Sequence, residues 1–173
     1  MSKTQLKKHL QALPQEQVVD LMLQLYDANK SARDWLEYYL QPDDDATLKK
    51  YKALIHNEFY PADGSEPKMR FGICRQAISD FKKLKPRPES QAELMIFFVE
   101  TGCHFAYDYG SMWEQYYAVM ARAFLSAMKF IKQHDLIARF QPNLDAILRY
   151  ARSSDWGFEE AVNTIYREYT AVS

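Results

Sequence analysis

Residues 88–135 of this chain read PESQAELMIFFVETGCHFAYDYGSMWEQYYAVMARAFLSAMKFIKQHD, and they contain two long helical patterns that meet at Gly110 and Ser111. The first pattern is apolar around much of its circumference, which is typical of a helix at the centre of a core. Gly110 can adopt the left-handed conformation that ends a helix, and Ser111 followed three residues later by Glu114 matches a capping box. The stretch therefore predicts two core helices joined by a short turn.

The apolar run LMIFFV (Leu94–Val99) has the composition of a β-strand. Its flanks hold no turn signal except Gly102, and the distance from Pro88 to Gly110 suits one long helix. We therefore expect a helix here, and a β-sheet across this run would overturn the prediction of the fold.

Apolar residues also recur at helical spacing in the N-terminal part of the chain. Ser2 with Gln5 predicts a capped first helix, and Ser31 with Asp34 predicts the start of a third. The acids Asp43–Asp45 place negative charge at the start of a fourth helix, where the helix dipole favours it. This part is therefore predicted to be helical throughout.

The C-terminal part continues the helical pattern. Leu136–Tyr150 is predicted as one helix kinked at Pro142 or as two short helices, and a last helix is expected from Ser154. Five glycines and seven prolines leave little room for the frequent turns of an all-β fold. The prediction is an all-α fold, an irregular bundle of eight or nine helices built from antiparallel hairpins, with a solenoid-like array as the alternative.

We expect a single helical domain over residues 1–173, because a chain of this length can bury a sizeable core without disulfides or metals. The strongest loop signal is YPADGSEP (Tyr60–Pro67), which contains two prolines and an Asp-Gly pair. This loop, residues 60–67, would separate an N-terminal helical arm, residues 1–60, from a main bundle, residues 68–173.

The composition favours a cytoplasmic protein with no cofactor and no membrane segment. Cys74 and Cys103 are too few and too far apart for a disulfide framework or a zinc knuckle, and we expect both to be reduced and buried. Met1–Leu10 lacks the apolar region of a signal peptide, and no apolar run is long enough to span a bilayer. The scattered glycines form no phosphate-binding loop. A net charge of −1 gives no field that would attract nucleic acid.

Glu100, His104 and Asp108 recur every four residues and should therefore lie on one face of the long apolar helix. Such a row could bind a divalent metal, or Glu100 could orient His104 for acid–base catalysis. Di-iron bundles instead use a Glu-x-x-His motif with a second copy on another helix, and this chain has neither. A hydrogen-bonded polar patch is the simpler interpretation, so no metal site is assigned.

Residues 68–87 contain seven Lys or Arg against one acid, Asp80. Lys68, Arg75 and Lys82 recur at seven-residue spacing along one face of a predicted helix, and Lys83 follows them. A cationic amphipathic helix of this kind could bind phosphates or an acidic partner. A solvated face whose last basic residues interact with the helix dipole explains the same residues without a partner.

Aromatic residues make up 14% of the chain and form three local clusters. The clusters are Trp35 with Tyr38 and Tyr39, Trp113 with Tyr116 and Tyr117, and Trp156 with Phe158 around Gly157. Most of these rings are expected in the core and at its rim, and the last pair is expected to fix how the chain enters the final helix. Because Tyr and Trp are enriched at interfaces, any rings left exposed are candidate contacts for a protein partner.

Three stretches of the sequence resemble one family. They are LKKHLQALPQEQVVDLMLQLYDANK (Leu6–Lys30), AISDFKKLKP (Ala77–Pro86) and WGFEE (Trp156–Glu160). Together they are similar to an uncharacterised family of small bacterial cytoplasmic proteins, a domain of unknown function. The resemblance covers nearly the whole chain and implies one all-helical domain, and it supplies no catalytic residues.

The leading functional prediction is a non-enzymatic domain that binds another protein or acts as an adaptor, because aromatic helix faces are abundant and no coherent catalytic set is present. One alternative is binding of nucleic acid or another anionic partner through residues 68–87. The other is a metal-dependent enzyme that uses Glu100, His104 and Asp108.

Overall fold

The structure is a computed structural model that describes residues 1–152 and 154–171, and within these ranges the chain forms nine α-helices and no β-strand. The helices are α1 (Lys3–Ala12), α2 (Gln15–Ala28), α3 (Lys30–Leu40), α4 (Asp44–Phe59), α5 (Phe71–Lys83), α6 (Pro88–Tyr109), α7 (Glu114–Gln133), α8 (Ile137–Tyr150) and α9 (Phe158–Thr170). The all-α prediction is confirmed, and the run Leu94–Val99 lies inside α6. The antiparallel hairpins and the solenoid-like alternative stay predictions.

The chain divides into two compact units, Met1–Asp43 and Asp44–Ser173. The first unit contains α1–α3, and the second contains the six helices from α4 onward. The predicted loop at residues 60–67 connects α4 to α5 inside the second unit. The single-domain assignment and the division into an arm and a main bundle stay predictions.

In the first unit, no residue of α1, α2 or α3 is buried, and the structure describes every residue of these helices. The capping box of Ser2 and Gln5 is present at α1. Asn29, and not Ser31, caps α3, because its side chain accepts a hydrogen bond from the Ala32 N–H. The apolar residues Leu21, Met22 and Leu25, which recur at helical spacing in α2, stay accessible and are each at least 41% exposed.

Two ends of helices in the second unit are formed by the residues that the sequence indicated. Asp44 and Asp45 occupy the first turn of α4, as predicted. Gly110 follows α6 with a φ of 91°, a conformation that favours glycine. The predicted segment Leu136–Tyr150 forms one helix, α8, that includes Pro142, so the alternative of two short helices is wrong.

The predicted starts of α7 and α9 are also wrong. Ser111 and Glu114 form no capping box, because α7 begins at Glu114 and its N-cap residue is Trp113. The Ser111 hydroxyl instead donates a hydrogen bond to Asp155 Oδ2. The last helix begins at Phe158 and not at Ser154, since Trp156 and Gly157 both have the positive φ of a turn.

The centre of the second unit is α6, against which α4, α5, α7 and α8 all pack. Twelve residues of α6 are buried, and they include the uninterrupted run Thr101–Cys103. Successive residues of an α-helix point about 100° apart, so such a run is covered on several sides at once. Burial around the helix therefore requires neighbours on all sides of it.

At Gly102 the backbone of α6 contacts side chains of α7 directly. The buried Tyr116 hydroxyl donates a hydrogen bond of 2.7 Å to the Gly102 carbonyl oxygen. The Met120 side chain lies directly over Gly102, where an added Cβ atom would overlap Met120 Sδ. Gly102 therefore lets the two helices approach each other at this point.

We expect Gly102→Ala to lower the free energy of unfolding by about 1–3 kcal/mol, because the new methyl group overpacks the contact with Met120. The matched control is Gly72→Ala in α5, where an added Cβ meets nothing within 4 Å. The control should raise the same quantity by up to about 1 kcal/mol through helix propensity. Urea unfolding of both variants measures the difference, and stabilisation by both substitutions would contradict the close approach.

Candidate functional site

The structure separates the predicted row of Glu100, His104 and Asp108 into two groups. Glu100 Oε2 accepts a hydrogen bond of 2.8 Å from Asn143 Nδ2 of α8. His104 Nε2 lies 3.4 Å from Asp108 Oδ2, and the Tyr60 hydroxyl donates to the same oxygen at 3.2 Å. Among the residues that the structure describes, no three His, Cys, Asp or Glu side chains are grouped as metal ligands would be. The row is therefore not one ligand set.

In the group formed by His104 and Asp108, the Tyr60 hydroxyl is a hydrogen-bond donor. Its partial burial raises the pKa of the Tyr60 hydroxyl far above the ordinary value of 10.0, and the negative charge of Asp108 adds to the increase. The hydroxyl therefore keeps its proton and donates to Asp108 at any physiological pH. The carboxylate beside His104 is therefore that of Asp108, whereas Glu100, the predicted partner of His104, is bonded to Asn143.

Aromatic rings surround His104 at the C-terminal end of α6. The His104 ring lies 4.7 Å from the Tyr150 ring of α8, and Tyr150 lies 5.5 Å from Tyr107. On the other side, Tyr60 lies 6.3 Å from His104 and 6.4 Å from Tyr109. These distances between ring centroids are typical of contacting aromatic pairs. Three segments distant in sequence, ending α4, α6 and α8, thus bring their rings together.

Two exposed tryptophans, Trp113 and Trp156, lie in the turns before α7 and α9, and one hydrogen bond joins these two turns. Trp156 Nε1 donates a hydrogen bond of 3.2 Å to the Met112 carbonyl oxygen, which attaches the turn before α9 to the turn before α7. Trp156 has a φ of 59°, and the following Phe158 turns inward to lie 5.0 Å from the Tyr117 ring. Phe158 is buried as part of the core, and the expected role of the pair in fixing the entry to the last helix stays a prediction.

Four of these rings are largely accessible. The exposed fractions are 61% for Tyr107, 64% for Tyr109, 49% for Trp113 and 63% for Trp156. We call these four rings, together with Tyr60, His104 and Tyr150, the aromatic surface. The neighbouring Tyr116 and Tyr117, which the sequence grouped with Trp113, belong instead to the core.

The predicted basic face of residues 68–87 is shorter than expected. Because α5 begins at Phe71, Lys68 lies outside the helix and only Arg75 and Lys82 share its predicted face. Lys83 Nζ lies 2.7 Å from Asp80 Oδ1 of the same helix. The predicted helix thus contains Arg75 and Lys82, but it begins three residues after Lys68.

Two arginines of residues 68–87, Arg70 and Arg87, form ion pairs with carboxylates of α4. Arg87 Nε lies 2.9 Å from Asp44 Oδ2, an oxygen that also accepts a hydrogen bond from the Ser90 hydroxyl. Arg70 donates from its backbone N–H and from its guanidinium to both oxygens of Glu58. Both arginines therefore connect α4 to the segment that follows it, and part of the positive charge is neutralised.

Glu58 is a buried carboxylate whose partner is Arg70. It is only 3% exposed, and its backbone carbonyl also accepts a hydrogen bond of 2.9 Å from the Met69 N–H. The hydrogen bonds from Arg70 hold the pKa of Glu58 below its usual value, although burial alone would raise it. The pair therefore ties the end of the loop after α4 to the core.

Both cysteines are free and buried, as predicted. Burial raises the pKa of the Cys74 thiol to about 12 and that of Cys103 further still. Since the thiolate is the nucleophilic form of cysteine, neither side chain is poised for nucleophilic chemistry.

The fold and the surface together define an all-helical domain that presents a cluster of exposed rings. Residues 1–170 match a family described as a family of unknown function (DUF6155), and the chain belongs to this family. The resemblance expected from the sequence is thereby confirmed, while its bacterial origin stays a prediction. No match was found among functionally curated proteins or among solved structures. Within the described ranges, no helix is long and apolar enough to cross a membrane.

We expect Glu58→Gln to lower the free energy of unfolding by about 1–3 kcal/mol at neutral pH. The substitution removes the negative charge and replaces one of the two oxygens that accept hydrogen bonds from Arg70 with an amide NH2 group, which cannot accept them. The lowered pKa of Glu58 means that its stabilising effect is complete above its ordinary pKa of 4.5 and is lost as the pH falls through the lowered value. The difference between wild type and variant should therefore shrink on acidification, which chemical denaturation at several pH values measures.

Glu93→Gln is the matched control, since Glu93 pairs with Lys52 but its side chain is 40% exposed. It should cost less than about 1 kcal/mol. Equal losses for the two variants, or a Glu58→Gln difference that grows at low pH, would show that the Glu58–Arg70 pair does not hold the loop.

Proposed function

We propose that the protein is a protein-interaction domain and that its partner binds to the aromatic surface. The observation that carries this proposal is the exposure of four rings, Tyr107 and Tyr109 at the end of α6 and Trp113 and Trp156 in the turns before α7 and α9, each at least 49% exposed. Among the described residues of the second unit, the other large exposed hydrophobic side chains are Leu54 and Ile73. Interfaces are enriched in Tyr and Trp, and these residues supply many of the side chains that dominate binding energy.

The rings of the aromatic surface are held in place before any partner arrives. Tyr109 stacks on the buried Phe105 with ring centroids 4.5 Å apart, and Trp156 is oriented by its hydrogen bond to Met112. Side chains that are already ordered lose little conformational entropy on binding. Such rings favour association more strongly than flexible aliphatic side chains of similar exposed area would.

The charges near the rings favour a protein over a nucleic acid. Exposed rings can also stack on bases, but proteins that bind single strands combine such rings with a positively charged groove. Here, within the described ranges, three acids, Asp108, Glu114 and Asp155, lie at the end of α6, the start of α7 and the turn before α9, against one guanidinium, that of Arg149, which lies 5.3 Å from the centroid of the Tyr150 ring. Their carboxylates would repel a phosphate backbone, whereas a protein can present hydrogen-bond donors to them.

The basic residues 68–87 support the nucleic-acid alternative less well. Arg70, Lys83 and Arg87 are paired with carboxylates, and Lys68 lies outside α5. The metal-dependent alternative is also less well supported, because Glu100 and His104 contact different partners. Two free thiols suit a reducing compartment, so we expect the interaction to take place in the cytoplasm.

The test is affinity purification from an extract of the source cells with wild type and with the double variant Tyr107→Ala, Trp156→Asn. Asparagine is chosen at position 156 because the backbone there has a positive φ of 59°, which asparagine tolerates. We expect a protein that wild type recovers to be lost with the variant. With the purified pair, the dissociation constant should rise at least about tenfold, as for the loss of central aromatic contacts.

The matched control is Leu54→Ala with Ile73→Ala, which removes exposed apolar area outside the aromatic surface. This control should recover the same partner with unchanged affinity. Equal recovery by all three proteins would refute the assigned surface. A wild type that stays monomeric in light scattering and recovers no specific protein would refute the proposed function.

A further inference from the structure

A second feature of the same unit is a cavity of about 290 Å³ between α5, α6 and α7. Its lining residues come from α5 (Arg75, Ile78), α6 (Met95, Phe98) and α7 (Val119, Arg122, Ala123, Ser126). The four residues from α7 follow the spacing of one helix face. None of the lining residues belongs to the aromatic surface, so the cavity is a separate site.

The cavity has an apolar floor and a cationic rim. Phe98 and Val119 are buried, and Ile78 and Met95 are half-buried around them. Arg75 and Arg122 are exposed, and they supply the only charged side chains of the lining. An apolar body in the cavity would thus lie beside guanidinium groups from two different helices.

Neither guanidinium group is neutralised by a carboxylate within the described residues. Arg70 and Arg87, on the segment that contains α5, lie 2.7 Å and 2.9 Å from carboxylate oxygens. By contrast, no ion pair involves Arg75 or Arg122 in residues 1–152 and 154–171. The hydroxyl of Ser126 donates to the Arg122 backbone carbonyl at 2.9 Å, so the two arginines are the donors left at the rim.

We propose that this cavity binds a small amphiphilic anion whose apolar body lies on Phe98 and Val119 and whose head group accepts hydrogen bonds from Arg75 and Arg122. Guanidinium groups bind carboxylate and phosphate oxygens strongly, and both heads share this chemistry. The volume of about 290 Å³ is at the small end for ligand sites, which suits a short acyl chain or a single ring. Binding here does not depend on the proposed protein interaction.

The test uses octanoate and octyl phosphate as probes, below the concentrations at which they form micelles. Calorimetry should show saturable binding of one molecule per chain for at least one of them. Neutral 1-octanol, which lacks the anionic head group, and acetate, which lacks the apolar chain, should each bind at least about tenfold more weakly. Octanoate binding more tightly than octyl phosphate would assign a carboxylate ligand, and the reverse order would assign a phosphate.

The site is located by variants and by methyl NMR. Arg75→Ala with Arg122→Ala should weaken binding of the tighter probe at least about tenfold, whereas the exposed Arg139→Ala, outside the cavity, should leave it unchanged. The methyl signals of Ile78, Val119 and Ala123 should shift during the titration. Wild type, the double variant and Arg139→Ala should all have the same melting temperature, because the substituted side chains are exposed. Absent saturable binding, equal binding of 1-octanol, or an unaffected double variant would overturn the proposal.

Discussion

Burial of α6 on nearly every side is the constraint on which the second unit depends. Leu94 and Ile96 point about 160° apart from one helix, yet neither is more than 1% exposed, and Phe98, on the same face as Leu94, is buried to the same extent. Burying a side chain of this size contributes about 1.5–3 kcal/mol, so leaving any side of α6 open would be costly. The packing of α4, α5, α7 and α8 around it follows from that requirement, and Gly102 leaves room for the Met120 side chain of α7 against the α6 backbone.

Both proposed sites lie where the covering of α6 is incomplete. After Ala106, α6 is no longer covered by its neighbours, and Tyr107 and Tyr109 become accessible. Tyr60, which follows α4, contacts Tyr109, and Tyr150 of α8 contacts Tyr107. Farther back, α5 and α7 leave a gap over Met95 that becomes the cavity. The helix that organises the core therefore also positions the surfaces available for recognition.

Local patterns in the sequence were sufficient to predict that the helices exist, but not to predict which side chains from different segments contact each other. The apolar circumference of α6, its end at Gly110 and the acids at the start of α4 are all encoded within a few residues. The Glu58–Arg70 pair, the rings around His104 and the link from Trp156 to Met112 join segments 12 to 48 residues apart. Helical periodicity carries no information on such pairings, and it also misplaced the start of α5, which left Lys68 outside the helix.

The most direct test of the central position of α6 is native-state hydrogen exchange read by NMR. We expect the amides of Ile96, Val99 and Cys103 to exchange only when the whole second unit unfolds, with the protection that global stability sets. Amides of α1–α3, where no residue is buried, should exchange much faster through local opening. Exchange of the α6 amides at rates as fast as those of α2 would contradict a core built around this helix.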